Sequence, residues 1–355
     1  MSLGRVVIVG TMMGLGLGAA AQNATPAAAP AAVAPAAVAP AVANSPAVLP
    51  GNGLAQHPFL YCGEWNYVNP EQTIWIIRDG KPAWSYSIPY DIQFGGQKDF
   101  EELGDCTLLA NGNVVFSSRR GASIVTPDKK IVRHIDVRAG GELHSIQAIG
   151  LDHVLVTENG DPIRMRLINT KTNAVEKEVD VKPGDPTQPH PQLRRARMTA
   201  AGTFLVAHMD DNRVTEYDSE GAVVWNYATP SPWAAVRLAN GNTLITGNAK
   251  GGILEVNKKG EIVWRLDRKD VAGYKIGCIQ DVARLANGDT VFSNWIPNDV
   301  KDPAQWPTTV QLIEVNPAKQ VVWALRQWTD PALGPASGFQ LLDQPGHPEE
   351  IPLHK

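Results

Sequence analysis

One pattern is written several times along this chain. Its most legible copy runs from Leu238-Ala239-Asn240-Gly241 through Asn242-Thr243-Leu244-Ile245, then residues 251–257, then Gly260-Glu261-Ile262-Val263-Trp264. Apolar and polar residues alternate with period two and are punctuated by Asn-Gly and Lys-Gly, the signature of short antiparallel strands joined by tight hairpins. A two-residue Asn-Gly turn is expected at the first hairpin of each copy. Leu109-Ala110-Asn111-Gly112, Leu238-Ala239-Asn240-Gly241 and Leu285-Ala286-Asn287-Gly288 form one column, with Thr199-Ala200-Ala201-Gly202 a degenerate member. A second column pairs a polar residue and a turn, with glycine in all but 316–323, with a closing tryptophan at residues 218–225, 257–264, 316–323 and 78–84.

Four-stranded units recurring every ~40–50 residues imply an all-β propeller. Five full units are visible at 105–137, 144–181, 194–227, 233–266 and 280–325. Residues 59–87 supply the later strands of a unit, and 338–343 read as a lone first strand. Joined, they make a sixth. The expectation is a six-bladed β-propeller of four-stranded antiparallel blades, closed by N- and C-terminal strands sharing one blade, with seven blades the alternative. Closure removes the sheet edges that would otherwise template aggregation. Trp84, Trp225, Trp264 and Trp323 end their strands and are expected to wedge between neighbouring blades, burying large apolar surfaces.

Residues 1–21 set Arg5 ahead of an apolar, glycine-rich run and then Ala19-Ala20-Ala21 before Gln22. That order reads as a secretory signal peptide cleaved after Ala21, and hence a periplasmic or secreted protein. With no cysteine near that point, a lipid-anchored form is not expected. Residues 22–56 are dominated by Ala, Pro and Val, carry no charge, and read as a disordered linker. The propeller is then 57–355, with no transmembrane segment expected after cleavage and a monomer expected. The net charge of −4 leaves no basic footprint for nucleic acid. The 3 cysteines, Cys62, Cys106 and Cys278, are too few for a disulfide framework, though one pair could form in an exported protein.

In a propeller the innermost strands begin on one face, so the loops around their starts crowd a single mouth. The residues there differ from blade to blade and are polar or bulky: Gly104-Asp105, His144-Ser145, Arg194-Arg195, Trp233-Ala234, Gln280-Asp281 and Gly338-Phe339. A purely structural column would be uniform and apolar. Loops between second and third strands add Glu64-Trp65, Arg119-Arg120, Glu158, His208, Asn248 and Asn294-Trp295. The loop after Asn294 is the longest, is braced by Pro297 and Pro303, and is a candidate rim. Asp105, Arg119, Arg194, Trp233, Asn248, Gln280, Asn294, Trp295, Trp65 and Glu158 are therefore the candidate ligand-binding residues. Aromatic faces beside amides and carboxylates suit a saccharide, and the arginines suit an acidic group. Because side chains alternate along a strand, only one arginine of each pair is expected to face the mouth. Among 8 histidines, His144, His190 and His208 map to the mouth. They are the candidate acid–base residues and, if a divalent metal binds, its ligands.

Residues 218–225 and 257–264 resemble the pyrroloquinoline-quinone-like and arylsulfotransferase-like propeller repeats of exported bacterial proteins, and the resemblance spans nearly all of the chain after His57. The quinoproteins usually set an adjacent cysteine pair over their cofactor. None occurs here, so no pyrroloquinoline quinone is expected. The arylsulfotransferases use mouth histidines and arginines around a transferred sulfuryl group, residue types that His144, His190, His208, Arg119 and Arg194 supply. The functional expectation is a propeller binding a small polar, saccharide-like or anionic ligand in its central mouth. The alternatives are a carbohydrate-active lyase or hydrolase, a sulfuryl transferase, and a protein-interaction scaffold.

Overall fold

Each repeat hairpin closes on a glycine in the left-handed region: Gly112, Gly202, Gly241 and Gly288 have φ between +75° and +91°. In the first of these turns Gly112 N donates to Leu109 O (2.9 Å), Leu109 N to Asn113 O (2.8 Å), and Asn113 N to the Asn111 side chain (3.0 Å). Asn111, Asn240 and Asn287 are not among the positive-φ residues. The turn is therefore a three-residue loop ending in a glycine bulge. The expected two-residue Asn-Gly turn would need positive φ at both central residues.

The computed structural model describes residues 45–64, 70–247 and 252–350. The described residues all lie in one compact unit, Val42–Lys355. They form six four-stranded antiparallel sheets arranged in a ring, plus a two-stranded ribbon at Asp91–Phe94 and Gln97–Phe100. Blade 1 is built from Leu103–Leu108, Val114–Ser118, Gly121–Val125 and Ile131–Asp136. Blade 2 runs from Glu142–Ile149 to Val175–Val181, blade 3 from Leu193–Met198 to Val223–Ala228, and blade 4 from Pro232–Arg237 to Ile262–Leu266. Blade 5 runs from Val282–Arg284 to Val321–Leu325. Blade 6 takes its first strand, Ala336–Leu341, from the C-terminal side and pairs it with Phe59–Gly63. This is the shared blade that closes the ring. The ribbon between blades 6 and 1 has no counterpart in the repeat.

Second strands such as Val114–Ser118, Phe204–His208 and Thr243–Gly247 are buried throughout, whereas the outer strands alternate exposed and half-buried residues. One apolar cluster fills each junction. Leu109, Leu143 and Val154 meet between blades 1 and 2, and Leu60, Cys62, Cys106 and Phe116 between blades 6 and 1. All three cysteines are buried and free. The linker expected through residue 56 packs on the ring from Ser45 onward: Pro50 O accepts from Ala324 N (3.2 Å), and Leu49 and Leu54 join the clusters on either side of blade 5.

The closing tryptophans reach forward. Trp84 Nε1 donates to Pro127 O (2.8 Å), Trp225 Nε1 to Lys258 O (3.2 Å) and Trp264 Nε1 to Pro317 O (3.5 Å), in each case at the last hairpin of the next blade. Glu216 and Glu255 lie across the strand pair from Trp225 and Trp264. Arginines from the first strand of the next blade, Arg237 and Arg284, cover those indoles at 5.2 and 4.7 Å and pair with those glutamates. At the blade 5–6 junction His57 takes the arginine's place, between Glu314 (3.1 Å) and the edge of Trp323 (5.2 Å). Trp323 donates to Gly53 O (2.9 Å) and is fully buried.

Because truncation cost follows buried area, Trp323→Ala is expected to lower stability by about 4 kcal/mol and the half-buried Trp225→Ala by about 2 kcal/mol. Urea denaturation of the two variants checks the order, and equal losses would count against the wedge as the source of stability.

Candidate functional site at the channel mouth

The first strands are interrupted at the end where the candidate residues lie. In blade 1 Leu103 faces Ser118 and Cys106 faces Phe116; in blade 3 Leu193 faces His208 and Ala196 faces Val206; in blade 4 Pro232 faces Gly247 and Ala235 faces Ile245. Each first strand carries one residue more than its partner, a β-bulge, and blade 2 has the same between Leu143 and Ser145. The bulge frees a backbone N–H that buried hydroxyls take up. Asp105 N donates to Ser117 Oγ (2.8 Å) and Ala234 N to Thr246 Oγ1 (3.1 Å), while just past the blade 3 bulge Ala196 N donates to Ser145 Oγ on the first strand of blade 2 (3.1 Å).

These bulges re-aim Gly104, His144, Arg194, Arg195 and Trp233 into one cavity of about 780 Å³, its open mouth included. Its walls are completed by Glu64, Glu102, His190, Met209, Gln280, Trp295 and Asn298. Adjacent Arg194 and Arg195 both border it, contrary to strict alternation, because the bulge spans them. Beneath lies a layer of buried charge: Arg195 pairs with Asp105 and lies 3.8 Å from Asp281, and Arg197 pairs with Asp105 at 2.7 Å. On the far side of that layer a second cavity, bordered by Asp105, Arg197 and Asp281, is covered by residues 344–348.

Glu142 organises one wall. Its Oε2 accepts from His190 Nδ1 (2.8 Å) and His144 Nε2 (3.2 Å), and its Oε1 from Arg119 Nε and Nη2 (2.9 and 2.6 Å). Burial opposes its charge, but these bonds outweigh burial and hold the carboxyl well below the usual range. Burial, followed by the Arg194 charge, lowers His144 to a pKa of about 3, so its imidazole is neutral at pH 7. Arg194 Nη1 lies 3.2–3.3 Å from both ring nitrogens of His144, and its guanidinium covers Trp233 at 4.6 Å. Arg194 is 5% exposed; among the described residues it has no ion pair, and its Nε has no hydrogen-bond partner. Across the cavity Trp295 Nε1 donates to Glu64, whose carboxyl burial and the Glu102 charge hold well above the usual range.

Of the candidates, His144, His190, Arg194, Trp233, Gln280 and Trp295 converge on this cavity. The other described candidates lie elsewhere. His208 is 1% exposed and bonded through Nε2 to the Tyr217 hydroxyl (3.0 Å). Asp105 lies in the ion layer under the floor. Arg119 stands behind Glu142, stacked on Phe100 at 4.1 Å and paired with Asp99 at 2.9 Å. Glu158 is buried between Arg138 (2.9 Å) and Arg166 (3.0 Å). Asn294 ties its own loop to the segment entering blade 5, accepting from Gly277 N (2.7 Å) and donating to Val310 O (2.7 Å). Trp306 is packed inside that loop with Ile296 and Val300. Trp65 and Asn248 lie outside the described residues. Sequence reasoning missed Glu142, although Glu-Leu-His at 142–144 puts it two residues before His144 on the same strand, a spacing that shares a face.

Residues 178–294 match a family model of PQQ-like repeats described as outer membrane protein assembly factor BamB. The chain is a propeller with PQQ-like repeats over residues 178–294. The match bears on the quinone-like half of the resemblance and not on the arylsulfotransferase half. A crystal structure of a protein of unknown function from Bacteroides caccae shares this propeller's fold, with a TM-score of 0.68 at 23% identity over 80% of this chain and 97% of that one. A catalytically inactive virginiamycin B lyase from Staphylococcus aureus, with quinupristin, aligns at 11% identity over 80% of this chain and 90% of that one, with a TM-score of 0.49 too low to bear on fold or function. No curated protein matches the propeller.

Burial, with the Arg213 charge second, lowers His208 from the ordinary 6.5 to about 3. The unfolded chain therefore binds a proton that the folded one refuses, and stability is lost as pH falls below 6.5 toward 3. His208→Gln removes this contribution. Its stability should fall less steeply than that of the parent, by about 1.4 kcal/mol per pH unit between about pH 4 and 6. Chemical denaturation across that range checks it, and parallel slopes would count against a neutral buried imidazole.

Proposed function

We propose that this propeller binds a small polar ligand carrying an anionic group in its central mouth, the anion on Arg194 and the remainder against Trp233, Gln280 and Trp295. One observation carries the reading: a buried guanidinium borders the cavity and, among the described residues, has no carboxylate at ion-pair distance, with Glu102, Glu142 and Glu64 acting on it only from further away. A buried charge left unpaired costs several kcal/mol, and an incoming carboxylate or sulfate would offset that cost with charge-assisted hydrogen bonds. The flat indoles and amide groups beside it suit the C–H faces and hydroxyls of an acidic saccharide. An acid–base enzyme is the second reading. It is favoured by His190, 46% exposed at its side chain and held by the Glu142 carboxylate in the manner of an oriented catalytic imidazole. Calorimetric titration with a monosaccharide uronate, an aryl sulfate and the matching uncharged sugar tests the first reading. An anionic compound is expected to bind, the neutral sugar much more weakly, and Arg194→Gln should weaken the anion by about tenfold or more. Trp233→Leu, which keeps the charge, should weaken all three. Undiminished anion binding by Arg194→Gln would overturn the assignment.

The reading includes export. The charge, apolar run and small residues of 1–21 support it, and among the described residues no helix is long and apolar enough to cross a membrane. The mature protein is expected to begin at Gln22, which N-terminal sequencing of the periplasmic or secreted fraction checks. An intact Met1 there would remove the argument for a signal peptide.

A further inference from the structure

We infer that Glu142, His144 and His190 form a binding site for one divalent transition-metal ion of the zinc class. Their candidate ligand atoms all lie within 4.8 Å of one another, with both imidazole nitrogens directed at the same carboxylate oxygen. Two imidazoles and one carboxylate are a set used by catalytic zinc sites, which leave the remaining positions open to water or ligand. Imidazole donors favour zinc over magnesium. The groups behind these atoms act as an outer shell should. Arg119 holds Glu142 Oε1 through two N–H groups and is itself tied to Asp99, which leaves Oε2 as the inward donor. The loop bearing His190 is fixed by Asn159 Nδ2, which donates to Pro189 O (2.9 Å) and Leu193 O (3.0 Å), and by Gln192 Oε1, which accepts from Gly160 N (2.7 Å). The ion replaces the two N–H contacts that now join the imidazoles to Glu142. Arg194 repels a cation at this place, and an anionic ligand lying between the two relieves that repulsion. The site puts a metal where the enzymatic reading puts a proton, and it does not depend on Arg194 binding an anion.

Zinc chloride titrated into the EDTA-treated, dialysed full chain and followed by calorimetry is expected to show one site with a Kd below about 1 µM. His190→Ala should weaken it by at least about tenfold while the metal-free melting temperature stays close to that of the parent, since the side chain is half exposed. Glu142→Gln should weaken it as strongly, and His208→Gln should leave it unchanged. If Glu142→Gln fails to fold, His190→Ala alone decides. Cobalt(II) in place of zinc should give ligand-field bands without a thiolate charge-transfer band, which separates this site from the cysteines. Absence of a stoichiometric site, parental zinc affinity in His190→Ala, or a thiolate band would overturn the inference. Anion binding measured in EDTA reports on Arg194 separately, so either proposal can fail alone.

Discussion

The mouth exists because the first strands stop pairing regularly just before they reach it. In a regular ladder, residues 194 and 195 or 233 and 234 would point to opposite faces, and half of the candidate residues would be spent inside the blades. One extra residue in each of blades 1 to 4 breaks that alternation. The cost is a backbone N–H with no ladder partner, and buried unsatisfied donors are expensive. Ser117 and Thr246 meet it with their hydroxyls, and Ser293 does the same for Asp281 N (2.9 Å). A small hydroxyl in an otherwise apolar second strand is therefore part of the site, although it never touches the cavity.

The ion layer under the floor follows from the same interruption. Arg195, turned into the channel, meets Asp105 from blade 1 and donates to Gln280 O (3.2 Å) and Ser337 O (2.7 Å) at the entries to blades 5 and 6. A buried ion pair is a weak source of net stability. Its geometric effect is larger: one side chain fixes four blades around the axis and separates two cavities. Arg194, its neighbour, has no such partner among the described residues, and that contrast between adjacent identical residues is why we propose Arg194 as the charge that meets a ligand.

The architecture was legible because its signals are local. Gly turns, period-two strands and closing tryptophans recur in register, and the lone strand at 336–341 completes the blade begun at 59–63. The turn type was not, since Asn-Gly serves both a two-residue turn and a three-residue loop with a bulge, and only the backbone angles distinguish them. The starts of the first strands were read as the candidate column, and six of its members and neighbours line one cavity. His208, Glu158 and Asn294 were placed by blade position alone. What removed them was packing: Tyr217 covers His208, two arginines enclose Glu158, and Asn294 is consumed in tying its own loop to the segment entering blade 5. A residue's position along a strand says which loop it adjoins, not whether a neighbour has already satisfied it.

The mouth is also polar in the directional sense. The cation and the imidazoles come from blades 2 and 3 and the loop between them, whereas Trp233, Gln280 and Trp295 come from blades 4 and 5. Glu64 from blade 6 has its carboxyl held above the usual range by burial and the Glu102 charge, and it accepts from Trp295 Nε1. A ligand with one anionic end and a neutral, hydroxylated body would match this gradient in a single orientation, with the acid toward Arg194 and the body toward the indoles. A symmetric dianion would gain little from the aromatic side, and an uncharged sugar would leave the Arg194 charge buried and unpaired. The arrangement of charge around the ring, more than the volume of the cavity, is what would make the site selective.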